Sequence, residues 1–242
     1  VGELMSSKIF LWIEDREGKA SYVFWETLMA NLCPNVIVES KKNNSELIKA
    51  VKDLKDKDNK YIIVLDNSFD NLQVYRERKR LSKYAEIKSN VILMDIICFE
   101  YILLEFDRLI DWIYAPNDEF LVKRSRAISA REKLVNAIRT GEFDYKQIQE
   151  IVAYDNSIDN HNIEQLSAKL LYDLTRNTGF EVSKGKIGAC WIKSCCEWLE
   201  REESDICGLD DNRLLIKDKL LSICEGTVLN KELKRVGLEM VL

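Results

Sequence analysis

The chain has 242 residues, a formal net charge of −5 and 46% hydrophobic residues. That length suits one large domain or two small ones, with enough apolar material for a core. The acidic balance excludes a generic polyanion binder, although local basic clusters beside a metal-neutralised site remain compatible with a nucleic-acid partner.

In chain order, the apolar run Ile9 to Ile13 predicts a strand over 8–14 that ends in Glu14 and Asp15. Tyr22, Val23, Trp25, Leu28, Met29 and Leu32 recur at helical spacing over 19–32, and Pro34 closes that helix. Val36 to Val38 reads as a short strand. Asn44 and Ser45 can cap a helix carrying Leu47, Ile48, Val51 and Leu54. Tyr61 to Asp66 is the third strand, with Asp70 four residues beyond. A polar, basic helix is expected over 71–84, a fourth strand over Val91 to Met94, and a long apolar helix from Ile96 to Tyr114. The βαβαβαβα order implies a mainly parallel sheet with right-handed crossovers and helices on both faces. Continuous rather than alternating apolar strands agree with it.

After Pro116 the pattern is helical: Asn117 to Thr140, closed by Gly141, then 144–153, 160–177, 187–201 and 212–224, with one short strand near Phe180 to Val182. The expected class is therefore α/β. A four-stranded, mainly parallel sheet domain covers 1–115, and an α-helical C-terminal subdomain covers 116–242.

No apolar run reaches the ~20 residues that span a bilayer, and VGELMSSKIF lacks the layout of a secretory leader. Seven cysteines without framework spacing fit a reducing compartment. The expectation is a cytoplasmic protein without membrane attachment. There is no low-complexity linker, no internal repeat and no Gly-rich phosphate loop.

A buried strand that ends in a carboxylate delivers it to the rim of the sheet, where open α/β folds bind ligands. Glu14, Asp66 and Asp70 are the candidate metal ligands, in an all-oxygen set suited to Mg²⁺ or Mn²⁺. Phosphodiester cleavage needs an activated water and charge stabilisation on phosphate, which such ions supply. Glu14 and Asp66 are the candidate catalytic residues, with Glu14 as ligand or general base. Lys19 opens a helix whose N-terminus favours anions, and Arg76 follows the Asp70 loop, so both are candidate phosphate contacts. A plainer role stands beside this one: Asp15 and Asp70 precede helices, where aspartate is a common cap.

The acid closing strand one, followed by Asp66-Asn67-Ser68-Phe69-Asp70 closing strand three, resembles the Toprim domain of topoisomerases, primases and overcoming-lysogeny-type nucleases. The likeness covers about residues 8–115. Glu14 takes the place of the family glutamate and Asp66 that of the first aspartate. Asp15 stands where the family has glycine, and Ser68 where the second acid of D-x-D is usual. Asp70 matches an extra aspartate found in Toprim-like proteins of bacterial phage-defence operons. Ser68 can ligate a metal or hold its water, with less charge. Cys98 to Leu104 is similar to the segment after strand four in those proteins, so Asp95 or Glu100 could extend the acidic set. The resemblance implies a Mg²⁺-dependent nuclease acting on DNA or RNA, a phage-defence effector controlled by a partner ATPase or other operon protein. The alternative is a Toprim-like binding or regulatory module with a weakened metal site. A phosphoacceptor receiver domain shares the acids, but it wants a serine or threonine where Asp95 stands and a fifth strand ending in Lys-Pro.

Arg76, Arg78, Lys79 and Arg80 form one basic cluster; Lys123, Arg124, Arg126, Arg131 and Lys133 form another. Each reads as a solvated helix face or a phosphate grip, the first being nearer the acids. Cys190, Cys195, Cys196, Cys207 and Cys224 read as buried helical thiols rather than zinc ligands, because adjacent cysteines on a helix diverge. His161 reads as a helix-start or surface residue. Trp12, Trp25, Trp112, Trp191 and Trp198 read as core or interface anchors.

Overall fold

Strands β1 (Ile9–Ile13), β2 (Val36–Ser40), β3 (Lys60–Val64) and β4 (Val91–Leu93) pair in parallel as one four-stranded sheet, in the order β2-β1-β3-β4. The computed structural model describes residues 7–142, 144, 146, 148, 150, 153, 162–183, 185–197 and 207–241. The α/β class and the parallel sheet flanked by helices are as expected, with a helical region after it.

The chain forms two compact units: residues up to Cys98 together with those from Val228, and residues Phe99 to Thr227. The expected boundary after residue 115 falls inside the second unit, and the last helix belongs to the first.

In the first unit, helices α1 (Ala20–Leu32), α2 (Asn44–Asp53) and α3 (Leu72–Glu86) connect successive strands. Gly18, at φ +80°, makes the turn from β1 into α1 in a conformation that favours glycine. Period-two alternation sends Trp12, Tyr61, Ile63 and Leu65 to one face, where they pack with Leu47, Ile48 and Val51 of α2 and Leu81 and Ala85 of α3. Leu11, Ile13, Ile62 and Val64 alternate with them and are also buried. That is the face to which a right-handed β1-α1-β2 crossover carries α1. Helix α11 (Leu229–Arg235) closes the unit, and the Val241 amide donates to the Leu32 carbonyl at 2.8 Å.

The second unit contains α4 (Phe99–Glu105), α5 (Leu109–Ile113), α6 (Glu119–Lys123), α7 (Ser125–Thr140), α8 (Ile163–Thr175), the antiparallel pair β5 (Val182–Ser183) and β6 (Lys186–Ile187), α9 (Ala189–Ile192) and α10 (Ile216–Glu225). The helix expected over 96–114 is two helices. Residues six apart on a continuous helix sit roughly 120° apart around the axis. The break at Phe106 instead brings the Phe106 and Trp112 rings to 4.7 Å, edge to face. The helix expected over 117–140 is likewise divided, at Arg124, and its cap is Asp118, which accepts from the Phe120 amide at 2.8 Å. Trp12, Trp25, Trp112 and Trp191 are buried, as anchors should be. Trp198, His161 and half of the stretch expected to be helical over 144–153 lie outside the described residues. The helix expected over 187–201 is only the single turn α9 among the described residues: Ile187 belongs to β6, and 193–197 are not helical.

Candidate functional site

Strand β1 lies between β2 and β3, so the chain leaves it first toward one neighbour and later reaches the other. The carboxyl ends of β1 and β3 therefore bracket the topological switch point, the usual ligand crevice of an open α/β sheet. Ile13 of β1 is in register with Val64 of β3. Glu14 follows the first strand directly, and Asp66 follows the other by one residue, Leu65. Both side chains are half-buried.

Backbone hydrogen bonds fix the chain around each acid. On the β1 side, the Lys41 amide donates to the Ile13 carbonyl at 2.7 Å and Ser40 Oγ donates to the Asp15 carbonyl at 2.6 Å. On the β3 side, the Asn67 amide donates to the carbonyls of Ile96 and Ile97 at 3.0 and 2.9 Å. Asn67 Nδ2 donates to Asp95 Oδ1 at 2.7 Å.

Ser68 is fully buried, and its hydroxyl donates to Asp70 Oδ1 at 2.8 Å. The pair forms a local turn ahead of α3, whose cap is Asn71: its Oδ1 accepts from the Gln73 and Val74 amides at 3.1 and 3.3 Å. Asp70 is thus tied to Ser68, and the helix cap passes to the next residue. Lys19 is exposed at the α1 cap position without a side-chain cap bond, and Arg76 is exposed on α3. Asp95 is exposed at the end of β4. Glu100 lies in the first turn of α4, in the second unit.

Three residues at this rim carry no sequence motif. Arg78 donates to the Leu65 and Met94 carbonyls, both at 2.7 Å, and lies 3.6 Å from Asp95. Burial pulls its pKa down, while Asp95, and more weakly Asp66 and Glu232, push it up and Arg235 lowers it. Glu232 and Arg235, from α11, complete the network. Glu232 accepts from the Asp95 amide at 2.7 Å, and Arg235 pairs with Glu232 at 2.7 Å while donating to the Leu93 carbonyl at 2.6 Å. Arg78 was legible in principle. It lies four residues after Val74 and three before Leu81, on the buried stripe of α3. Nothing local marks Glu232 or Arg235.

The second basic cluster is divided: Lys123, Arg126 and Lys133 are exposed, while Arg124 and Arg131 turn inward. Arg124 donates to Tyr114 Oη and to the Leu174 and Arg176 carbonyls at 2.7, 2.6 and 2.7 Å. Arg131 donates to the Leu104 and Phe106 carbonyls at 2.7 and 2.6 Å. Both are buried, so they satisfy carbonyls rather than phosphates.

Among the described residues, no three His, Cys, Asp or Glu side chains form a group able to hold a metal ion. Mg²⁺ is often held by only one or two carboxylates, with waters and substrate phosphate completing the shell. Glu14 and Asp66, on adjacent strand ends, fit that smaller demand. No disulfide joins cysteines among the described residues, and burial pushes the Cys190 thiol up to about 11, away from reactivity. No described helix is long and apolar enough to cross a membrane.

Comparison with protein families, curated proteins and solved structures finds no match to the chain.

Proposed function

We propose that this chain is a Toprim-like, Mg²⁺-dependent nuclease that cleaves phosphodiester bonds in DNA or RNA. The observation that carries the reading is the placement of Glu14 and Asp66 at the ends of adjacent parallel strands, across the switch point of the sheet. In the proposed roles, both carboxylates hold Mg²⁺ or Mn²⁺, and Glu14 also accepts the proton of the attacking water. The ion, when bound, supplies charge neutralisation at the phosphate and a more acidic water. Asn67 and Arg78 keep the Asp66 loop in place, and Lys19 and Arg76 offer positive charge to the incoming backbone. A role as a phage-defence effector governed by a partner ATPase or another operon protein extends this reading through the resemblance.

A second reading has its own observation. Ser68 stands where an acid is expected and donates to Asp70 Oδ1, which lowers the negative charge of the loop and favours a binding or regulatory module with a weakened metal site. A receiver domain is disfavoured, because among the described residues no fifth strand joins the sheet and Asp95 follows β4.

The test uses the full chain, alone and with its operon neighbour, on plasmid DNA and single-stranded RNA with Mg²⁺ or Mn²⁺. Glu14→Gln and Asp66→Asn should each lower cleavage by about 10²-fold or more while Tm in EDTA is unchanged. Metal-dependent thermal stabilisation without cleavage would select the module, and absence of both would reject the nuclease and the metal site together.

A further inference from the structure

Helix α3 buries Val74, Leu81 and Ala85 against the sheet. Its opposite stripe runs through Leu72, Tyr75, Lys79 and Lys83, spaced three and four apart. Tyr75 is 53% exposed and Leu72 62%, and Phe69, just ahead of the helix, is 55% exposed. Three large apolar side chains in the open within seven residues are unusual for a surface, and they adjoin the Asp66 loop.

A groove of about 380 Å³ follows this stripe, lined by Asn67, Tyr75, Arg78, Lys79, Ser82 and Lys83, with Glu86 at the helix end. Its upper end is Asn67, the residue after Asp66. Helix α3 carries five basic residues (Arg76, Arg78, Lys79, Arg80, Lys83) against two acids, in a chain whose net charge is −5. One of those acids, Glu77, accepts from Asn44 and Gln73 at 2.6 and 3.1 Å. Lys79 Nζ lies 5.9 Å from the centre of the Tyr75 ring, so cation and ring sit side by side.

We propose that this face of α3 binds a single-stranded nucleic acid, with Tyr75 stacking on an unpaired base and Lys79 and Lys83 contacting its phosphates. The proposal deepens the nuclease reading and rests on it for the destination of the strand, the acids beside Asn67. The pairing of an exposed aromatic with a basic track is the usual single-strand platform, since every base offers a π-face and every nucleotide a phosphate. A duplex keeps its bases stacked inward and gives Tyr75 nothing to stack on.

The experiment is fluorescence anisotropy of the full chain in EDTA, with labelled oligo(dT) and oligo(U) about 12 nucleotides long and a duplex of equal length. Single strands of one or both sugars should bind about 10-fold or more tighter than the duplex. Tyr75→Ala should weaken single-strand binding by about 5- to 100-fold at unchanged salt slope. Tyr75→Phe, which keeps the ring, should retain it. Lys79→Gln and Lys83→Gln should each reduce the salt slope by about 0.7. Equal affinity for duplex, or wild-type binding by Tyr75→Ala with native circular dichroism, overturns the groove. Binding in EDTA without cleavage in Mg²⁺ upholds the groove and rejects the nuclease. Cleavage in Mg²⁺ that is indifferent to Tyr75, Lys79 and Lys83 does the reverse.

Discussion

Arg78 donates from both terminal nitrogens to the carbonyls of Leu65 and Met94, the residues that follow β3 and β4. Losing it would leave two carbonyls at the rim without their donors, beside Asp95. Arg78→Met should cost about 2–4 kcal/mol in urea unfolding. Arg78→Lys should recover little, because one ammonium cannot reproduce the two-pronged geometry. Asp56 is a second informative residue. Its carboxylate accepts from Tyr61 Oη at 2.6 Å, from the Asp58 amide at 2.8 Å and from Asn59 Nδ2 at 2.6 Å. The Tyr61 bond foremost, then those from Asp58 and Asn59, holds its pKa down at about 2 against an ordinary 3.8. A lowered carboxylate pKa stabilises the fold above the ordinary value and loses that contribution as pH falls toward 2. A plot of Tm against pH should therefore drop between about pH 4 and 2, and Asp56→Asn should flatten that limb. At the other end, burial first and Asp56 second push the Tyr61 phenol up to about 12. Its contribution is complete below the ordinary phenol value of 10.0 and is lost as pH rises toward 12.

Helix α3 does two jobs at the level of elements. Its buried stripe seals one face of the sheet, and its first turn shapes the loop that carries Asp66 to Asp70. Asn71 caps that turn through two amides. Asn71→Ala should cost about 1 kcal/mol and, in hydrogen exchange, lower protection first at Gln73 and Val74. The same cap holds Tyr75 one turn into the helix, so the cap variant should also weaken single-strand binding, less than loss of the ring itself. The β1-α1 connection contrasts with it. Lys19 provides no side-chain cap bond, so the first α1 amides have no acceptor from that side chain. The two divided helices of the second unit show how side-chain demands override periodicity. Arg124 sits at the break between α6 and α7 and is consumed by carbonyls of α8 and the residue after it.

For the whole molecule, the decisive feature is that the first unit is discontinuous. The segment from Val228 supplies Leu229, Leu233, Val236 and Leu238, all buried, and the Glu232–Arg235 pair at the end of β4. Full burial of one such side chain contributes about 1.5–3 kcal/mol, and a domain is stable by only about 5–15 kcal/mol in all. A fragment ending at Cys98 should therefore show no cooperative unfolding transition. Adding a peptide of residues 228–242 in trans should restore one, read by circular dichroism during urea titration.

The sheet was legible because its strands are continuous β-prone runs and its helices carry clean 3.6-residue periodicity, both local properties. The switch-point acids were legible for the same reason: Glu14 and Asp66 follow those runs directly. Periodicity alone could not show that Phe106 breaks a helix to meet Trp112, or that Arg124 and Arg131 turn inward toward carbonyls. Those choices depend on partners tens of residues away. Nor could spacing show that Ser68 would turn its hydroxyl to Asp70 or that α11 would return to β4. By itself the sequence determined the α/β order and the positions of the strand-end acids, which follow from burial and backbone pattern. Tertiary structure alone decided which charges face solvent and which are spent inside, because a buried cation goes where unpaired carbonyls remain, and only the folded chain determines where that is.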